Sequence, residues 1–340
     1  RWGDLAGIMK DFFNMNITAE IQTLVRSTPK LLPHGKQSKT ALSLPWNGIG
    51  LLDMSEYSGM LEYQPSEYTF TALAGTSLEE IDRILAEHNQ FLPFDPPFIE
   101  KGATLGGTVA TGLSGSGRYR YGGLRDFILG VKFIDGNGEL VRAGGKVVKN
   151  AAGFDLPKMM VGSLGGFGAL LELSFKVFPR PGAYTTVIRR FSALAEALEV
   201  LLRLSAAPLD LFCLDLEPQP EGVDLMVRIG GLPGSFPERI QRLQGIMEGG
   251  VPLEGEAEPA FWRGIREFFW LPPGASLVKV PMIPGRVVNI DAFLSNNNAL
   301  RRYTVGANLA WIAWPGELEA LNNHLTDAGL SGLVVLGPQG

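Results

Sequence analysis

One cysteine, Cys213, and three histidines, His34, His88 and His324, are the only thiol and imidazole groups in 340 residues. A disulfide within the chain is therefore excluded, which fits a reducing compartment. The four residues lie far apart in sequence, so neither an iron–sulfur cluster nor an ordinary zinc site is expected from them. Long apolar runs are missing as well. No uncharged apolar stretch reaches the roughly 18 residues that a membrane-spanning helix needs. Excess positive charge is also lacking: the net charge of −5 offers no basic face for a polyanion. The polar opening, Arg1-Trp2-Gly3-Asp4, has no apolar core of a signal peptide. The expected location is cytoplasmic, with peripheral attachment to the inner face of the membrane only through a partner.

What is present describes a folded protein. Hydrophobic residues make up 45% and charged residues 19%, and the length suffices for two domains, each with its own core. Residues 17–25 suggest a short helix, and 49–54 and 68–74 two strands. Ser77-Leu78-Glu79-Glu80 is a capping box, and Leu78, Ile81, Ile84 and Leu85 recur at helical spacing, which predicts a helix over 78–89. Strands are predicted at 127–134 and 139–143 around the turn Asp135-Gly136-Asn137-Gly138, and another at 170–178. Pro179-Arg180-Pro181 breaks the pattern there, so the first domain is expected to be 1–181 and the second 182–340. In the second half, strands at 184–190, 211–216, 223–229 and 277–282 and helices at 193–205 and 237–247 follow the ferredoxin-like order βαββαβ. A further strand (303–312), helix (317–328) and strand (332–336) extend it. Residues 259–270 form an aromatic helix, and no internal sequence repeat is evident.

Between Gly102 and Gly168 the texture differs. Eighteen of the 43 glycines fall in these 67 residues, a density that means backbone lying close to something or many special turns. Three patches are candidates for chemistry. Pro33-His34-Gly35-Lys36-Gln37-Ser38-Lys39 is a polar turn after an expected strand, able to aim amides at a diphosphate or simply to face solvent. The second patch, Ala103 to Gly115, is dominated by small residues that let backbone press on a flat ring or a phosphate. It reads equally as a close-packed helix start, and it is not the G-x-G-x-x-G fingerprint of a dinucleotide fold. The third runs Tyr121 to Val131, Lys149 to Leu156 and Val161 to Leu171.

Together A-T-L-G-G-T-V-A-T-G, Y-G-G-L-R-D-F-I-L-G-V, K-N-A-A-G-F-D-L and V-G-S-L-G-G-F-G-A-L-L-E resemble the FAD domain of the vanillyl-alcohol oxidase (p-cresol methylhydroxylase, PCMH) superfamily. More narrowly they resemble the E subunits of three-part glycolate oxidases. The likeness covers residues 31–181 strongly. It implies an α+β protein with a two-subdomain PCMH-type FAD-binding domain followed by the ferredoxin-like domain. It also implies the cofactor contacts. His34, Gly35, Lys36, Gln37, Ser38 and Lys39 match the diphosphate loop, and Thr104, Leu105, Gly106 and Gly107, with Ala110 and Thr111, line the diphosphate and the flavin edge. Asp95, Pro96 and Pro97 approach the ring system. Gly112, Ser114, Tyr121, Gly122, Asp126, Gly153 and Asp155 are further contacts, and Gly168, Ala169, Leu170 and Leu171 serve the adenine end. The usual loop is richer in glycine than this one, so binding is expected to lean on Lys36, Ser38 and Lys39. His34 precedes Gly35 rather than following a glycine pair, so FAD is expected to be held non-covalently.

The histidine-bearing H-x-G-D-G-N-x-H segment of the related D-2-hydroxy-acid dehydrogenases is absent. An independent hydroxy-acid site is therefore not expected, although Arg118, Arg120 and Arg125 are candidates for an anion near the flavin, or for ordinary surface ion pairs. With no cysteine cluster, electrons have to leave through other chains. The resemblance implies a D-type FAD subunit and an F-type iron–sulfur subunit, with Phe261, Trp262, Phe268, Phe269 and Trp270 either an interface anchor or a buried helix face. The alternatives are a self-sufficient FAD-dependent 2-hydroxy-acid dehydrogenase, a relative of UDP-N-acetylmuramate reductase, and a flavin-binding scaffold without its own substrate.

Overall fold

The computed structural model describes residues 17–43, 47–145 and 154–337. Residues 17–27 are helical (α1). There follow β1 (Leu31–His34), β2 (Gly50–Asp53), β3 (Met60–Gln64), β4 (Thr69–Leu73), α2 (Leu78–Ala86), β5 (Gln90–Phe91), α3 (Leu105–Thr111) and α4 (Arg118–Tyr121). Then come β6 (Ile128–Ile134), β7 (Leu140–Gly144), α5 (Leu156–Met160), β8 (Ala169–Lys176) and β9 (Phe178–Pro179). Two subdomains result. In one, β1 and β2 pair in parallel, while Ile21 of α1 shares an apolar cluster with Leu52 and Met54. In the other, five antiparallel strands run in the order β3-β4-β8-β6-β7. The Ser77 cap forms, with Oγ accepting from the Glu80 amide at 3.2 Å, and it starts α2 where the sequence predicts.

Helix α3 is fixed to this sheet through backbone. Thr104 caps it, and the amide of Leu105 donates to Thr76 O (2.9 Å) and that of Gly106 to Ala74 O (2.7 Å). A Cβ on Gly106 would lie 2.8 Å from the Cβ of Ala74, so only glycine brings the helix this close.

The rest of the chain is β10 (Ala183–Phe191), α6 (Leu194–Ala206), β11 (Leu211–Gln219), β12 (Gly222–Gly231), α7 (Phe236–Met247), β13 (Val251–Leu253), α8 (Ala257–Arg266), β14 (Ser276–Pro281), α9 (Val287–Asn296), β15 (Leu300–Thr304), β16 (Leu309–Trp314), α10 (Leu318–Asp327) and β17 (Leu333–Leu336). Its eight strands form one antiparallel sheet in the order β13-β10-β12-β11-β15-β16-β14-β17. The ferredoxin-like order is present, and it is present twice. β10-α6-β11-β12-α7-β13 is one βαββαβ unit and β14-α9-β15-β16-α10-β17 another, joined edge to edge through β11 and β15.

Three expectations are corrected. The strand that closes the first unit is β13, not 277–282. It escapes a pattern search because it has three residues, one of them Pro252, and two are exposed. The stretch 303–312 is a hairpin, broken by left-handed Val305, Gly306 and Ala307. The aromatic helix ends at Arg266, and Phe268 is itself left-handed (φ +57°).

The aromatic helix face is largely interior. Trp262 is buried and donates its Nε1 to Thr186 Oγ1 at 2.8 Å. Phe268 stacks on Phe98 at 4.9 Å and joins the apolar cluster that Leu277, Leu309 and Trp311 share with Phe94 and Leu105. This cluster unites the two sheets across a seam. Of the aromatics in the segment, Phe269 is the most exposed.

Candidate functional site

A cleft, open to solvent at its mouth, runs between the two first-half subdomains. The polar turn His34, Gly35, Lys36, Gln37, Ser38 and Lys39 forms one wall. Thr104, Gly106, Gly107, Ala110 and Thr111 of α3 form another, and Gly168 and Leu170 form the far end. Two patches separated by some 65 residues in sequence thus face each other. Ser163, Leu164 and Gly165, together with Met54 and Ala74, complete the lining. The first three belong to the V-G-S-L-G-G-F-G motif, whose glycine content was the signal that could have singled them out.

The turn has the properties of an anion cradle. Gln37 takes φ +51°, which bends successive amides toward one side. No described residue accepts from the amides of Gly35, Lys36, Gln37 or Ser38. Gly35 lies so close to Thr104 Oγ1 that a Cβ there would collide with it. By contrast, the first amides of α3 are spent within the protein, on Thr76 O, Ala74 O and Thr104 Oγ1. The turn, rather than the helix start, therefore has amides to offer a ligand.

Lys39 carries the electrostatics. Only 4% of it is exposed, its Nζ donates to Ser38 Oγ at 3.1 Å, and it lies 5.8 Å from the centre of the Phe98 ring. No carboxylate among the described residues pairs with it. Burial pushes its pKa down to about 8 from the usual 10.5. A buried, unpaired cation beside free amides fits a bound diphosphate. His34 is held by its own neighbourhood, with Nδ1 at 2.8 Å from Gly35 O and 3.9 Å from Asp53 Oδ1.

The remaining expected residues lie elsewhere. Leu105 is fully buried, Gly112 ends α3 with φ +62°, and Ser114 Oγ accepts from the Leu124 amide at 3.3 Å. Gly122 is left-handed (φ +93°) against Asp126, whose carboxylate accepts from the Gly123 amide at 2.8 Å. Asp155 caps α5, and Ala169 and Leu171 are buried in β8. Tyr121 belongs to an aromatic group with Phe178 (5.4 Å) and Phe212 (5.5 Å). Asp95, Pro96 and Pro97 line cavities at the seam between the sheets. Gly153, with the K-N-A-A-G part of its motif, lies outside the described residues. Arg120 is engaged with Asp210 at 2.7 Å, and none of Arg118, Arg120 and Arg125 lines the cleft.

The domain that carries this cleft is that of a flavoprotein. Residues 16–144 match the model of an FAD binding domain. The chain is similar in structure to alkyldihydroxyacetonephosphate synthase, with a TM-score of 0.68 over 92% of this chain and 70% of that one at 17% identity, which speaks for the fold alone. It is 35% identical to the glycolate oxidase subunit GlcE of Escherichia coli (strain K12) over 79% of this chain and 74% of that protein. The chain belongs to this family of FAD-binding glycolate oxidase subunits. It is also 28% identical to the glycolate oxidase subunit GlcD of Bacillus subtilis (strain 168) and 30% identical to the D-2-hydroxyglutarate dehydrogenase of Xanthomonas citri, spanning 37% and 40% of their lengths.

Proposed function

We propose that this chain is the FAD-holding E-type subunit of a multi-subunit glycolate dehydrogenase, working beside a D-type flavin subunit and an F-type iron–sulfur subunit. Residues 1–181 hold the cofactor, and 182–340 form the ferredoxin-like second domain. The observation that carries the reading is the buried, unpaired Lys39 facing the free amides of its own turn, in a chain with this kinship.

In the cleft, Lys36 and Lys39 offset the diphosphate charge, Ser38 and the turn amides donate to its oxygens, and Gly107 gives it room. FAD supplies the two-electron chemistry of hydroxy-acid oxidation, while the protein fixes its position and surroundings. Among the described residues no group of His, Cys, Asp and Glu could hold a metal ion. No helix of the described residues is long and apolar enough to cross a membrane.

Three expected results follow from this assignment. Acid precipitation will release all flavin into the supernatant, because His34 precedes Gly35 rather than following a glycine pair and its Nδ1 is engaged with Gly35 O at 2.8 Å; flavin fluorescence on the denatured chain would contradict this. The isolated chain will reduce an artificial acceptor with glycolate only slightly, and added D-type and F-type subunits will raise the rate by orders of magnitude. Full turnover by the lone chain would favour the self-sufficient enzyme instead.

The third result concerns pH. Lys39 titrates near 8 in the cofactor-free fold and near 10.5 when unfolded. The unfolded chain thus holds the extra proton between those values. Burial of Lys39 costs stability at every pH below about 8, and the cost fades as pH rises toward 10.5. A bound diphosphate favours the charged amine, so FAD binding takes up a proton in this window and affinity falls as pH rises above about 8. Titration of FAD fluorescence from pH 7 to 10 measures this, and Lys39→Met should flatten the dependence.

A further inference from the structure

Asp215 of β11 is completely buried where the eight-stranded sheet meets the FAD domain. Its Oδ2 accepts from Ser116 Oγ, in the loop between α3 and α4, and its Oδ1 accepts from the Val305 amide at 3.1 Å, in the turn between β15 and β16. One carboxyl thus fastens two stretches that lie 99 and 90 residues away from it in sequence. On the FAD-domain side the loop is held by Asp95. Its Oδ2 accepts from the Gly117 amide at 3.3 Å and its carbonyl oxygen from the Gly115 amide at 2.6 Å. On the other side the turn carries Val305, Gly306 and Ala307 in the left-handed region (φ +57°, +62° and +63°), which a β-branched valine adopts only under constraint. The Gly306 amide donates to Leu214 O at 2.8 Å, and a Cβ on Gly306 would lie 3.0 Å from the Tyr119 ring of α4.

Among the described residues none forms an ion pair with Asp215. Arg302 of β15 favours its charged form, but that guanidinium is engaged with Glu217 at 2.6 Å. Asp95, across the Ser116 loop, disfavours a second negative charge. Cys213 and Glu217 stand two residues to either side on the same face of β11, and burial holds the Cys213 thiol neutral. A buried carboxyl with two donors and no counter-ion of its own is costly to ionise. Burial accordingly pushes the Asp215 pKa up to about 7 from the usual 3.8. While protonated, the carboxyl can donate to Ser116 Oγ and still accept from Val305, so the neutral joint is fully bonded.

We propose that the Ser116–Asp215–Val305 joint is a pH-sensitive latch between the eight-stranded sheet and the FAD domain, shut while Asp215 is protonated and easier to open once the carboxyl ionises. The shut joint keeps its proton up to about pH 7, whereas an opened, solvated Asp215 gives it up near 3.8. Opening therefore releases a proton between those values. The opening equilibrium rises about tenfold per pH unit up to about pH 7 and is level above it. This window lies below that of Lys39, so the two titrations are separable.

The test is amide hydrogen exchange of the FAD-loaded protein from pH 5 to 9, corrected for the intrinsic pH dependence of exchange. Segments 113–117 and 303–308 should lose protection about tenfold per pH unit between pH 5 and 7 and change little above, while α2 and β6 keep theirs. Asp215→Asn retains an acceptor for Val305 and a donor for Ser116 but cannot ionise. It should abolish the dependence and keep both segments protected at pH 8. Its gain in melting temperature over the unaltered protein should grow from pH 5 to 7 and then stay level. Ser116→Ala removes a donor that favours the charged form, so the levelling-off should move to higher pH. A purely structural Ser116 would change protection equally at every pH.

The proposal is overturned if the two segments of the unaltered protein exchange independently of pH, or if Asp215→Asn keeps the dependence. It is overturned equally if α2 and β6 lose protection in step with the two segments, since the whole fold, and not the joint, would then be opening.

Discussion

Replacing Gly107 with valine will strip FAD from the protein and leave it folded. Gly107 is the third residue of α3, with an ordinary helical backbone. A Cβ there meets only Thr104 Oγ1 within 4 Å, at 3.0 Å, and otherwise points into the cleft. The valine branches would fill space that the cofactor needs, while the helix has only to let the Thr104 hydroxyl give by a few tenths of an ångström, and valine is a better helix former than glycine. Gly106→Val is the contrasting case. Its Cβ would press on Ala74 at 2.8 Å and on the Ala74 carbonyl oxygen at 3.0 Å, the same oxygen its amide bonds. That substitution should lever α3 off β4 and cost about 1–3 kcal/mol or more of stability. FAD affinity by fluorescence quenching, with far-UV circular dichroism for folding, separates the two. Near-normal affinity in Gly107→Val would place the cofactor elsewhere.

Glu258→Ala should be among the most damaging substitutions in the second half, costing about 3–5 kcal/mol in urea unfolding. Glu258 is 1% exposed and accepts two bonds from Arg228, from Nε and Nη2 at 2.8 Å each, and a third from Thr186 Oγ1 at 2.8 Å. Its removal leaves the Arg228 guanidinium buried between Tyr184 (4.0 Å to the ring centre) and Trp262 (5.3 Å) without a counter-charge. The cost comes from that stranded cation more than from the lost attraction, because a buried pair nearly cancels its own desolvation. Helix α8 should then separate from β10, which Trp262 fluorescence would follow. Removing Glu87 from its exposed pair with Arg83 on α2 should barely register.

The cofactor half was legible in the residues because its constraints are local. A turn that offers amides needs small and polar residues, and a helix start pressed on a strand needs glycine. Gly35, Gly106 and Gly107 therefore mark the cleft whatever the rest of the chain does. The N-cap at Ser77 and the hairpin around Asp135-Gly136-Asn137-Gly138 are legible for the same reason: each is settled within a few residues. His34 to Lys39 and Thr104 to Thr111 could be named from sequence as two halves of one site through resemblance. Only the fold showed that the α3 amides are already used and that the turn amides are not.

The second half was legible as elements but not as an arrangement. Its βαββαβ order was read once, whereas the chain folds it twice. β13 is too short and too exposed to announce itself, and the strands of the two units share geometry without an evident repeat of residues. The hairpin at 300–314 looked like one strand because its turn uses Val305 and Ala307 in a left-handed conformation that their types do not advertise. The joint at the seam has no sequence pattern at all. Ser116, Asp215 and Val305 come from three separate stretches and meet only because one face of the eight-stranded sheet packs on the FAD domain. Local backbone chemistry was settled by the sequence within a few residues of each glycine. The pairing of distant donors was settled by tertiary packing, because burial, which makes an unpaired donor costly, is a property of the assembled fold rather than of any segment in it.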